Sequence, residues 1–117
     1  MTEAQIQQDI RLALGRRSVL FRNNSGAYQD TKTGRWIHYG VGSPGGSDLI
    51  GWHTVEITPD MVGKRIAVFV AIEVKKPTGK VTDAQQNFVD QVHSAGGISG
   101  ICRSVQDAEA LLQMTLL

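Results

Sequence analysis

The chain has 117 residues, 41% of them hydrophobic and 20% charged, with a formal net charge of +1. That length and composition fit one globular domain, residues 1–117, and the near-neutral balance excludes a global attraction to nucleic acid, so any such binding must come from local patches. Cys102, the one cysteine, excludes an internal disulfide and a multi-cysteine zinc site.

Thr2 with Gln5 has the form of a capping box, and Ile6, Ile10, Ala13 and Leu14 then recur at helical spacing. The spacing predicts an amphipathic helix over 3–15, ending near Gly15. The start Thr2-Glu3-Ala4-Gln5 lacks the basic and apolar regions of a signal peptide, and no apolar run is long enough to cross a bilayer. The expected setting is therefore the cytoplasm, with no membrane partner. Ser18 to Arg22 is strand-like and runs into the turn composition Asn23-Asn24-Ser25-Gly26. Lys32-Thr33-Gly34 reads as a hairpin tip whose return strand is 35–39. Gly40 to Asp48 is too glycine-rich for regular structure, and Leu49 to His53 resumes a strand.

After a surface connection over 56–64 comes the most apolar run, Ile66 to Ile72, which ends in Glu73-Val74-Lys75-Lys76. Such a run reads as a strand buried on both faces. Alternation puts Glu73 and Lys75 on one side of it, where they form either a salt bridge or part of a site. Thr82 with Gln85 opens a second helix with Phe88, Val92 and Ala95 as its apolar stripe, and Gly96-Gly97 stops it. Ile98 to Arg103 is a last strand, and Ser104 with Asp107 starts a last helix that turns Ala108, Leu111 and Leu112 inward. Strand, helix and strand over 66–103 read as a βαβ unit with parallel strands. The class is α/β, three-layered, with a mixed sheet flanked by helices.

Gly40-x-Gly42-x-x-Gly45 matches the dinucleotide fingerprint in letters, but that motif needs a helix to begin within the glycines. Here Pro44 and Gly46 interrupt and a strand follows, so no nucleotide cofactor is expected. Gly79-Lys80 lacks the other residues of a phosphate loop. The glycines make better sense as a way of presenting Asp48, which otherwise caps a turn. Asp48 and Glu73 together could share a divalent cation, because Mg²⁺ takes one or two carboxylates and fills its shell with water and substrate oxygens. Lys75 would then orient or deprotonate the attacking water, or neutralise charge on the reacting phosphate.

Asp48 with Glu73-Val74-Lys75 resembles the catalytic signature of the PD-(D/E)xK nucleases, which share the restriction-endonuclease-like fold. More narrowly, the chain resembles the virus-type replication-repair nuclease (VRR-NUC) domain. The resemblance runs through Glu3 to Gln7, Arg22 to Gly26, Gly45 to Gly51, Ile72 to Lys75, Gly79 to Gln85, Phe88 and Gly96-Gly97. It implies a Mg²⁺- or Mn²⁺-dependent endonuclease acting on DNA. Asp48 and Glu73 would be the metal carboxylates, the Val74 carbonyl a third ligand and Lys75 the residue acting on the water. Glu3 would reach the site through a water, and Gln85 would orient the lysine or the water. Read from the residues alone, Glu3 complements a helix dipole and Gln85 completes a cap. Ser47 stands where the family usually has a proline, a matter of loop shape rather than ligation.

Arg22, Asn23, Asn24, Lys76 and Lys80 are the candidate DNA contacts, of the kind that position a duplex without reading sequence. Arg11, Arg16 and Arg17 offer a further patch or merely the outer face of the first helix, and Trp36 and Tyr39 could stack on an unpaired base or pack the hairpin. His38, His53 and His93 have no metal spacing, and Cys102 is expected to be buried. Stand-alone members of the resembled family are associated with homodimers that cut branched DNA such as four-way (Holliday) junctions, in a bacterial or phage-infected cell. The alternatives are a general nicking or restriction-like nuclease, a non-catalytic nucleic-acid-binding module, and a small-molecule enzyme using the Gly40–Gly45 loop.

Overall fold

Both long-range helices begin where a threonine and a glutamine exchange hydrogen bonds. In the computed structural model, which describes residues 2–16 and 18–115, helix α1 covers Glu3–Leu14 and helix α2 covers Asp83–Ser94. Thr2 Oγ1 accepts from the Gln5 N–H at 3.2 Å while Gln5 Oε1 accepts from the Thr2 N–H at 2.8 Å; Thr82 and Gln85 repeat the exchange at 3.1 and 3.0 Å. Each box satisfies backbone donors that a helix start leaves open.

The chain divides at His53 into two compact units. In the first, strand β1 (Ser18–Arg22) pairs antiparallel with β4 (Leu49–His53), Ser18 opposite His53 and Arg22 opposite Leu49. Helix α1 packs on β1, and Arg11 Nε donates to the Leu20 carbonyl at 3.1 Å, so Arg11 is tied to the strand rather than to an outer patch. Arg16 is exposed, and Arg17 lies outside the described residues. The Phe21 and Trp52 rings meet at 5.7 Å on the ladder. Strands β2 (Gly26–Gln29) and β3 (Trp36–Tyr39) form the expected hairpin, closed by the Gly34 N–H on the Asp30 carbonyl at 2.8 Å. Tyr39 lies over Gly26, whereas Trp36 is 65% exposed and packs little.

The second unit is the βαβ. Strands β5 (Val70–Val74) and β6 (Ile98–Cys102) pair in parallel with Val70 opposite Ile98 and Val74 opposite Cys102. Helix α2 packs on both strands through Val89 and Val92 and accepts a buried hydrogen bond from Ser99 Oγ at the Val89 carbonyl, 2.5 Å. Helix α3 (Val105–Thr115) starts on Ser104, whose Oγ accepts from the Asp107 N–H, and lays Leu111 over Gly100 of β6. Cys102 is buried, as expected. No helix among the described residues is long and apolar enough to cross a membrane.

The class is α/β, and both antiparallel and parallel pairing are present, divided among the described residues into three two-stranded ladders. Three local readings need correction. The apolar run is strand only from Val70, and Ile66, Val68, Val70 and Ile72 are each more than a third exposed. The reason is its partner: Gly96 turns the chain after α2, so β6 begins at Ile98 and, among the described residues, no strand pairs with 66–68. The buried stripe of α2 is Val89 with Val92, while Phe88 sits at the rim. Leu112 is exposed, because Leu111 takes the place over β6.

Candidate active site

In the first unit the Gly40–Asp48 loop is shaped by one side chain. Asn23 follows β1, and its Nδ2 donates to the carbonyls of Val41 (2.7 Å) and Ser47 (3.0 Å) while its Oδ1 accepts from the Val41 N–H (2.9 Å). Its own N–H donates to the Asp48 carbonyl at 2.8 Å. A Cβ on Gly46 would collide with the Val41 carbonyl oxygen, so only glycine lets the loop close on itself there. Asp48 emerges exposed at the foot of β4. Glu3, in the first turn of α1, joins it on the wall of a cavity of about 260 Å³, completed by Ile6, Gln7, Ile10 and Leu49. The acid read as a helix-start charge and the acid of the glycine loop thus share one cavity.

In the second unit the end of β5 carries Glu73 and Lys75 on one side, as alternation requires. Lys75 Nζ lies 3.5 Å from Glu73 Oε1, with the two side chains 19% and 32% exposed. Val74, between them, ends the strand opposite Cys102, and the Lys75 N–H donates to the Cys102 carbonyl at 3.1 Å. Glu73 and Gln85 line a largely apolar cavity of about 390 Å³ with Ala71, Phe88 and Val89. The α2 cap uses the side-chain oxygen of Gln85 and leaves its NH₂ group outside the cap. Lys76 and Lys80 are exposed on the turn beyond β5, as are Arg22 and Asn24 beside the other loop.

Two contributors escape sequence reasoning. Arg103 donates from one nitrogen, Nη1, to the carbonyls of Lys76 (2.6 Å), Pro77 (3.3 Å) and Gly79 (2.9 Å), pinning the turn that carries the two lysines. Nothing local in the sequence marks it. Asn23 stands in a turn-rich stretch, which signals that its side chain bonds to backbone but not which backbone.

Chemically, the acids and the Val74 carbonyl are hard oxygen donors, suited to Mg²⁺ or Mn²⁺ rather than to zinc or copper. No group of three or more His, Cys, Asp or Glu able to hold a metal occurs among the described residues. The donors within either unit are too few to fill a cation's shell, so water and substrate oxygens would supply the rest, as they commonly do for Mg²⁺. His53 is occupied differently, its Nδ1 lying 2.6 Å from the Ser18 hydroxyl.

A βαβ unit that ends its first strand in Glu-x-Lys, in a chain whose glycine loop presents an aspartate, has the residue pattern of a nuclease of the PD-(D/E)xK type. The VRR-NUC domain matches residues 1–106, and the chain belongs to that family. The family is one of nucleases, which implies DNA as the substrate. No curated protein and no solved structure matches the chain.

Proposed function

We propose that the protein is a Mg²⁺- or Mn²⁺-dependent endodeoxyribonuclease that hydrolyses phosphodiester bonds in branched DNA, four-way junctions above all. The observation that carries the chemistry is the Glu73–Lys75 pair at the end of β5. A partly exposed ion pair contributes only about 0–1 kcal/mol to stability, so the placement of Glu73 on a cavity wall with Lys75 beside it is better explained by reactivity. Asp48, Glu73 and the Val74 carbonyl are the groups that would hold the cation, which would supply Lewis-acid activation of water and of the phosphoryl group. Lys75 orients the attacking water and offsets negative charge as it develops on the phosphate. The NH₂ group of Gln85 holds the lysine or the water in line, and Glu3 accepts a hydrogen bond from water on the Asp48 side. Arg22, Asn24, Lys76 and Lys80 contact phosphates and set the register of the duplex.

The preference for junctions rests on symmetry. Two copies related by a two-fold axis present two equivalent sites, and a four-way junction offers two equivalent strands to cut. The test is cleavage of a labelled junction and a matched linear duplex with Mg²⁺, Mn²⁺ or EDTA, comparing the natural protein with Glu73→Ala. Metal-dependent cutting of the junction alone, lost in the variant, is the expected result. Cutting both DNAs equally, by a protein that is monomeric at micromolar concentration, would discard the junction and the dimer. Binding without cutting would leave a nucleic-acid-binding module.

A further inference from the structure

We infer that Asn23 is a positioning residue, one whose side-chain amide locks the Gly40–Asp48 loop and so fixes the Asp48 carboxylate, rather than a contact to DNA. The inference rests on the proposal that Asp48 serves catalysis.

The geometry is that of a clasp. One amide reaches both ends of the loop: Val41 at its start, through a donated and an accepted hydrogen bond, and Ser47 at its end. The Asn23 N–H adds a bond to the Asp48 carbonyl itself. An asparagine side chain has two donor hydrogens and one acceptor oxygen. Both hydrogens are taken up inside the chain, which leaves no donor for a phosphate. Its neighbours Arg22 and Asn24 are exposed, whereas Asn23 is half-buried. No other side chain of this size offers two donors and an acceptor; an aspartate would face two carbonyl oxygens with a negative charge.

The loop needs such a clasp because its sequence gives it little shape of its own. Gly40, Gly42 and Gly45 hold φ angles of 94°, 71° and 90°, and glycine loses more freedom on ordering than any other residue. The clasp bridges 18 residues to Val41 and 24 to Ser47, so the end of β1 determines where the acid at the foot of β4 stands. A displacement of roughly 1 Å in a catalytic group lowers rate by about 10²-fold, which makes a loop clasp a rate determinant without any contact to substrate.

The experiment uses the full chain with Asn23→Asp, which keeps size and acceptor but removes both donors, and Asn23→Ala as the second variant. Three quantities are read: junction cleavage with Mg²⁺, junction affinity with Ca²⁺ in its place, and amide hydrogen exchange at Val41 and Asn23. The expected result is a fall in kcat of about 10²-fold with affinity held within about threefold, and faster exchange at both amides. Weakened affinity with kcat intact would overturn the inference and make Asn23 a phosphate contact. Unchanged exchange in both variants would overturn it as well. If the natural protein cuts no DNA with any metal, the nuclease proposal fails on its own, and the exchange data still decide whether Asn23 holds the loop. Thermal melting of each variant separates a loosened loop from an unfolded chain.

Discussion

The two segments that carry Asp48 and Glu73 are held in different ways. The Asp48 loop owes its form to glycines and to one neutral amide, Asn23, with no regular structure between Tyr39 and Leu49. The turn after Glu73 and Lys75 grows out of a strand that is already paired with β6 and covered by α2, and the Arg103 clasp comes in addition. One acid is presented by a loop held chiefly by Asn23, with one further hydrogen bond from the Ser43 hydroxyl to the Gly26 carbonyl. The other is presented by a ladder, and only the basic residues beyond it depend on a clasp. The first arrangement should therefore be brittle and the second tolerant.

The same substitution on both sides breaks or sharpens that contrast most directly. In Gly46→Ala the new methyl would meet the Val41 carbonyl oxygen and approach Asn23 Nδ2 to 3.1 Å, so the clasp itself has to shift. In Gly79→Ala the nearest atoms are the Lys76 carbonyl oxygen at 3.3 Å and nitrogen at 3.4 Å, which a few tenths of an ångström relieve. Cleavage should fall about 10²-fold in the first variant and stay within about threefold in the second. Equal losses would show that the two loops are equally rigid.

Removing the second clasp should have a smaller effect. Arg103 is exposed, so water can replace it at the three carbonyls and offset much of what these charge-assisted hydrogen bonds contribute. Arg103→Ala is expected to raise the KM for DNA about five- to tenfold, because Lys76 and Lys80 lose their fixed places, while kcat changes little. Arg103→Lys should recover only part, since an ammonium cannot reproduce the reach of the guanidinium. A drop in kcat with KM unchanged would mean that the turn positions Lys75 rather than the substrate.

The contrast also marks what could be read from the sequence. Both capping boxes, the parallel βαβ and the shared side of Glu73 and Lys75 were legible because each depends on residues a few positions apart or on a simple periodicity. So was the lack of a helix within the glycines at 40–48, since Pro44 and Gly46 interrupt one there. Whether a given apolar stretch is paired depends on where another strand starts, and so the run at 66–69 was misread as buried strand. The Asn23 and Arg103 clasps join residues 18 to 27 positions apart, and no composition or spacing rule reports such a meeting. The grouping of Glu3 with Asp48 in one cavity lay behind the family resemblance, because a first-turn glutamate has a sufficient explanation in the helix dipole.

The smallest effects should come from the caps, and they test whether the tolerance of the second unit has its origin in packing. Thr2→Ala and Thr82→Ala each remove a side-chain acceptor of the same kind, worth about 1 kcal/mol. Helix α1 carries no buried residue, so its first turn can fray with little loss elsewhere. Helix α2 carries Val89 and Val92 against the ladder, so fraying at Thr82 disturbs the core that holds β5. Thr82→Ala should therefore lower Tm by about 4 °C and Thr2→Ala by about half as much, measured by thermal unfolding of the full chain. Cleavage should follow the opposite order of sensitivity to temperature: the Thr82 variant should retain its rate well below Tm, because β5 keeps Glu73 and Lys75 in register until the ladder itself opens. A rate already reduced at low temperature in Thr82→Ala would instead place the effect on the first turn of α2, which carries Gln85 and loses the bond from the Gln85 N–H to the Thr82 hydroxyl, and would make that turn the weak fastening of the second unit.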